Sequence, residues 1–122
     1  MNEQIKNIAL NVVQLLLERG YTLSTAESCT GGSIAAAITS IAGCSAVFKG
    51  SVVSYSNDVK AAVLDVDIST LAACGAVSEE TVKQMAVWWS ICTGPTSSVC
   101  SAARKTNSAC IRKNNQPMLV NK

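Results

Sequence analysis

An α/β domain is what this sequence predicts, and three observations predict it. Strand-like runs alternate with segments of helical period. The order strand, helix, strand over residues 21–26, 33–41 and 47–54 requires a right-handed crossover and two parallel strands. A turn rich in hydroxyls and glycines, Ser28-Cys29-Thr30-Gly31-Gly32, joins the first strand to the helix after it. Such a turn presents a nucleophile or holds an anion, because N–H groups and the dipole of the following helix point at whatever docks there. A plain capped helix start explains the same residues, and the turn alone does not separate the two readings.

Each element has its own warrant. Residues 2–19 place Ile5, Ile8, Ala9, Val12, Leu15 and Leu16 at helical spacing, with Glu3, Lys6, Asn7 and Asn11 opposite. Gly20 follows where a left-handed C-cap belongs. The second helix turns Ile34, Ala35, Ile38 and Ile41 inward, and its alanines suit close packing on a sheet. The second strand centres on the β-branched run around Val52 and Val53. Ser56-Asn57 caps a third helix carrying Lys60 and Leu64. Residues 65–77 read as an irregular connection with a helical turn over 69–73. Ser78 caps a last helix whose Glu79 and Glu80 match the dipole and whose Val82, Met85 and Ala86 face inward.

Composition narrows the chemistry. At 122 residues and 48% hydrophobic, the chain makes one globular domain with a modest core. No apolar run reaches the length of a membrane span, and the N-terminus does not read as a signal peptide. A cytoplasmic protein with reduced cysteines is the expectation. The six cysteines form no CxxC pair, and there is no histidine, so no zinc site and no Ser-His-Asp triad is expected. No cofactor or metal is implied. Charge is uneven: residues 1–86 carry five basic and eight acidic side chains, and residues 87–122 carry five basic and none acidic. A basic tail raises nucleic-acid contact. This one lacks interleaved aromatics, so neither nucleic acid nor membrane is the expected partner.

Parallel α/β sheets bind ligands beyond the carboxyl ends of their strands. Ser28 follows the first strand, and Tyr55 and Lys60 follow the second, so they share one sheet edge. Lys60 falls in the first turn of its helix, where the dipole opposes its charge and lowers its pKa toward that of a general base. Ser28 and Lys60 are the most economical nucleophile and base, with Tyr55 as a proton relay. Cys29 is a rival nucleophile. A solvated surface lysine and a half-buried strand aromatic are the alternatives for Lys60 and Tyr55.

The segments Ala26-Glu27-Ser28-Cys29-Thr30-Gly31-Gly32, Tyr55-Ser56-Asn57-Asp58-Val59-Lys60 and Gly75-Ala76-Val77-Ser78-Glu79-Glu80 resemble the successive signatures of the CinA C-terminal domain family. That family includes the nicotinamide mononucleotide deamidases. The resemblance, from about Ile5 to Met85, implies a three-layer α/β/α sandwich. It also implies hydrolysis of a nucleotide carboxamide to the acid and ammonia in pyridine nucleotide recycling. By position it makes Ser28 the nucleophile and Lys60 and Tyr55 its partners. Cys29, Thr30, Gly31 and Gly32 then bind substrate, with backbone N–H groups near Cys29 to Gly31 holding the oxyanion.

After Ala86 the family's pattern stops. The Ser-Gly-Ile-Ala-Gly-Pro loop expected there is replaced by Val87-Trp88-Trp89-Ser90-Ile91-Cys92-Thr93-Gly94-Pro95 and a run rich in Ser, Asn and Lys. Residues 96–122 show neither strand alternation nor a helical stripe. The expectation is an incomplete α/β domain over 1–86 and a divergent, irregular basic tail over 87–122, read out of frame after a frameshift near Ala86. The sheet would then be incomplete, with an open edge on two parallel strands and marginal stability. Three classes of function follow: the amidohydrolase, a catalytically inactive relative, and a non-enzymatic binding module. Homo-oligomerisation that replaces missing pocket walls stays open. Met1 just before the first helix fits the family's stand-alone form.

Overall fold

The computed structural model describes residues 2–75, 78–93, 97–103, 108–113 and 116–121, with side chains described through Trp89. The order is α1 (Glu3–Arg19), β1 (Thr22–Glu27), α2 (Ser33–Thr39), a 3-10 turn (Cys44–Ala46), β2 (Phe48–Val53), α3 (Asn57–Leu64), α4 (Ile68–Cys74), α5 (Glu79–Thr93), β3 (Ser97–Ala103), β4 (Ser108–Lys113) and β5 (Gln116–Asn121). The strands form one sheet in the order β2-β1-β3-β4-β5. β1 pairs in parallel with β2 on one side and β3 on the other, and β3, β4 and β5 run antiparallel.

Alternation along β1 explains the layers. Leu23 joins Ala9 and Val13 of α1 and Ile38 of α2 in one core. Ala26, an odd number of residues on, packs with Leu64, Val66 and Met85 against the α3 and α5 side. Helices cover both faces, which makes the α/β/α sandwich. The caps fall where the sequence puts them. Gly20 is left-handed at φ +68, the Ser56 side chain accepts from the Val59 N–H, and Ser78 Oγ accepts from the Thr81 N–H.

Three expectations need correction. In α1 the buried stripe is Ala9 and Val13, flanked by Val12 and Leu16, while Ile5, Ile8 and Leu15 are about half exposed. The α1 face set by Ala9 leaves those three on the rim. The second concerns residues 87–122, expected to be irregular. α5 continues to Thr93, and residues 97–121 supply three strands. Their composition hides them: Ser97-Ser98-Val99-Cys100-Ser101-Ala102-Ala103 has little strand propensity, and β3 is instead fixed by six paired positions along β1. Pro117 sits in β5, at the end of the strand order, where a missing N–H is tolerated. β1 is therefore an interior strand, not the open edge of a two-stranded sheet. The connection over 65–77 contains a full helix, α4, in place of a single turn.

Candidate active site

Ser28 comes directly after β1, and Ser54 directly after β2. The register pairs Glu27 with Val53, and the Ser54 N–H donates to the Glu27 carbonyl at 2.8 Å, so the two strand ends lie side by side. α3 begins almost at once. Helical side chains lean toward the helix N-terminus, so Lys60, one turn in, reaches back over the strand ends. Its Nζ lies 2.8 Å from Ser28 Oγ, 2.7 Å from the Ser54 carbonyl and 2.7 Å from the Tyr55 carbonyl. Lys60 is wholly buried and Ser28 is only 6% exposed.

These three contacts set the chemistry. Burial, the larger cause, holds Lys60 below its ordinary 10.5, and its electrostatic interaction with the neighbouring Cys29 acts in the opposite direction. Burial thus does what the sequence assigned to the helix dipole. A neutral amine has two N–H bonds, which the Ser54 and Tyr55 carbonyls accept. In this structure the Lys60 Nζ donates to Ser28 Oγ; in the neutral form that third direction carries its lone pair, toward which the Ser28 hydroxyl turns its proton. That is the arrangement in which a lysine takes a proton from a serine.

Glu27 is the residue that sequence reasoning passed over. Fully buried, it holds the turn from below. Its Oε1 accepts from Thr30 Oγ1 at 2.8 Å and from the Ile34 N–H at 2.9 Å. Its Oε2 accepts from the Ala35 N–H at 3.1 Å and lies 3.1 Å from Thr25 Oγ1 and 3.2 Å from Ser51 Oγ. The expectation that the N-terminus of α2 faces a docked group is therefore corrected: the protein's own carboxylate fills it. The usable signal was an acid that ends a buried strand and precedes a helix lacking a side-chain N-cap.

The remaining candidates divide. Thr30 spends its hydroxyl on Glu27. Gly31 and Gly32 take φ +61 and +94, and a Cβ on Gly32 would lie 3.3 Å from Val53 Cγ2, so the turn requires glycine there. The Gly31 N–H donates to the Ser28 carbonyl. The N–H groups of Cys29 and Thr30 have no backbone acceptor among the described residues, which leaves them available to an oxyanion. Cys29 is half-buried with a free thiol. Tyr55 departs from expectation. Its phenol is on a side chain 74% exposed, and its carbonyl, not its hydroxyl, meets Lys60. A strand residue that leaves its pleat just before a helix cap turns outward, which the aromatic identity alone does not reveal.

A groove of about 570 Å³ runs between α3 and α4, lined by Asn57, Asp58, Ala61, Ala62, Ile68, Leu71 and Ala72. Neither Ser28 nor Lys60 is in its wall. Among the described residues no group of His, Cys, Asp and Glu could hold a metal, and no helix is long and apolar enough to cross a membrane.

Comparison with known proteins bears on the family and the fold. The chain is 62% identical over 73 residues to a CinA-like protein of Endomicrobium trichonymphae, covering 60% of this chain and 17% of that one. It is 51% identical over 81 residues to a CinA-like protein of Petrotoga mobilis, covering 66% and 20%. It thus spans about a fifth of the length of these curated relatives. Among solved structures, the competence/damage inducible protein CihA from Agrobacterium tumefaciens superposes with a TM-score of 0.84 at 32% identity, covering 98% of this chain and 81% of that one. Beside that longer chain the sandwich here is partial. The model of the CinA C-terminal domain matches residues 5–102, past Ala86 and into β3. The chain belongs to the CinA C-terminal domain family.

Proposed function

We propose that this chain is an amidohydrolase of the nicotinamide mononucleotide deamidase type, working through Ser28 and Lys60. One observation carries the reading: the 2.8 Å contact between a buried lysine amine and a serine hydroxyl, with two carbonyls fixing the amine. Lys60 takes the Ser28 proton as Oγ attacks the carboxamide carbon. The N–H groups of Cys29 and Thr30 receive the oxyanion. Lys60 then gives its proton to the leaving nitrogen, and ammonia departs. Water repeats the sequence on the Ser28 ester, releasing the nicotinate nucleotide. Tyr55 enters this scheme only if its phenol swings inward over bound substrate.

A second reading, a family member that keeps the pair without turnover, draws on the low exposure of Ser28 and on the groove lying elsewhere. Ammonia release from nicotinamide mononucleotide, followed with a glutamate dehydrogenase couple, separates the two. The expected result is turnover that falls at least about a thousandfold in Ser28→Ala and in Lys60→Met. Turnover that survives in Ser28→Ala, or no release by the unmodified chain, overturns the proposal.

A further inference from the structure

One flank of α1 carries an apolar strip left open to solvent. Ile5 is 43%, Ile8 56% and Leu15 48% exposed, and half-buried Val12 stands between them. The four follow a 3-4-3 spacing, so at about 3.6 residues per turn they fall in one line along the helix. That line runs beside the buried Ala9 and Val13, and Arg19 ends it four residues after Leu15. Single exposed leucines are ordinary on a protein surface. A continuous strip with this period is the seam of a helix pair.

Pattern and charge say which helix fits the seam. The 3-4-3 spacing reads the same from either end. A second α1 laid antiparallel therefore brings Ile5 against Leu15 and Ile8 against Val12, twice over, as a two-fold axis requires. Between Lys6 and Glu18 the helix has no charged residue, so the middle of the seam buries no ion. At each end the antiparallel order sets Arg19, in the last turn of one copy, beside Glu3, in the first turn of the other. A parallel order would oppose Arg19 to Arg19 and align the two helix dipoles in the same sense. We propose that two copies of this chain associate through antiparallel α1 helices.

The fold permits it. α1 covers the sheet face that carries Leu23, and α3 covers the face that carries Ala26, so the seam lies across the sheet from the helix that delivers Lys60. The inference rests on neither Ser28 nor Lys60. From Ile5 to Leu15 the strip runs about 15 Å. So short a seam buries less than the roughly 1,200 Å² of a stable complex, and the dimer should dissociate on dilution.

Sedimentation equilibrium of the full chain tests this directly. The average mass should climb from that of one chain toward that of two, with a Kd of about 10–100 μM. Ile8→Glu and Leu15→Glu should each weaken association at least about tenfold. Both positions are exposed, so an unchanged thermal melt by circular dichroism certifies that the variants fold. Leu17→Glu is the control: Leu17 is 51% exposed on the opposite flank of α1, and its variant should keep the curve of the unmodified chain. Arg19→Glu sets acid against acid at both ends and should weaken association about threefold, and adding Glu3→Arg should restore it. A single-chain mass at every concentration overturns the pairing and leaves the strip to a different protein. Species larger than a dimer, or a loss in Leu17→Glu equal to that in Ile8→Glu, overturn it as well. Failure of Glu3→Arg to rescue Arg19→Glu overturns the antiparallel order.

Discussion

Replacing Glu27 with glutamine changes one atom and should cost more than its size suggests. The carboxylate accepts one main-chain N–H on each oxygen, Ile34 on Oε1 and Ala35 on Oε2. Its hydroxyl neighbours, Thr25, Thr30 and Ser51, can rotate their protons to suit an amide, but the two N–H groups cannot. Whichever way the amide is set, its NH2 faces one of them. One buried backbone donor loses its acceptor, at about 1–3 kcal/mol. The charge that complements the α2 dipole also goes, adding about 0.3–1 kcal/mol. Glu27→Gln should therefore lower stability by about 2–3 kcal/mol. Urea denaturation followed by circular dichroism reads this as a lower midpoint at unchanged slope. A variant within about 0.5 kcal/mol of the parent would refute the view that this carboxylate holds the nucleophile turn.

Lys60 makes stability depend on pH with a definite sign. Its native pKa lies below 10.5, so between the two values the unfolded chain carries the extra proton and stability climbs as pH rises. Relative to Lys60→Met, the parent should gain up to about 1.4 kcal/mol per pH unit inside that window. Parallel denaturation profiles of the two proteins across neutral to alkaline pH would contradict this. Gly32→Ala combines a φ of +94 with a Cβ 3.3 Å from Val53 Cγ2, and should destabilise by about 1–3 kcal/mol. A melting temperature unchanged from the parent would show that the turn has another path.

What the sequence made legible was local and periodic. The Ser28 and Lys60 encounter followed from two strand ends sharing an edge, and the caps at Ser56 and Ser78 from side-chain chemistry three residues deep. What it hid was non-local. The strands after Thr93 carry no pattern of their own, since the ladder along β1 specifies β3 and β3 in turn specifies β4. Glu27 looked like part of a motif, because its five partners are spread over β1, β2, the turn and α2. Tyr55 was misjudged because a residue's identity does not say whether its ring or its carbonyl faces the site.

Both seats of the Lys60 amine, at residues 54 and 55, are peptide oxygens. No exchange of side chain at either position deletes them, so this part of the site is insulated from ordinary substitution. What would unseat the lysine is a rerouted main chain. Lesions that bend the exit from β2 should therefore silence the amine more thoroughly than losing the exposed Tyr55 ring.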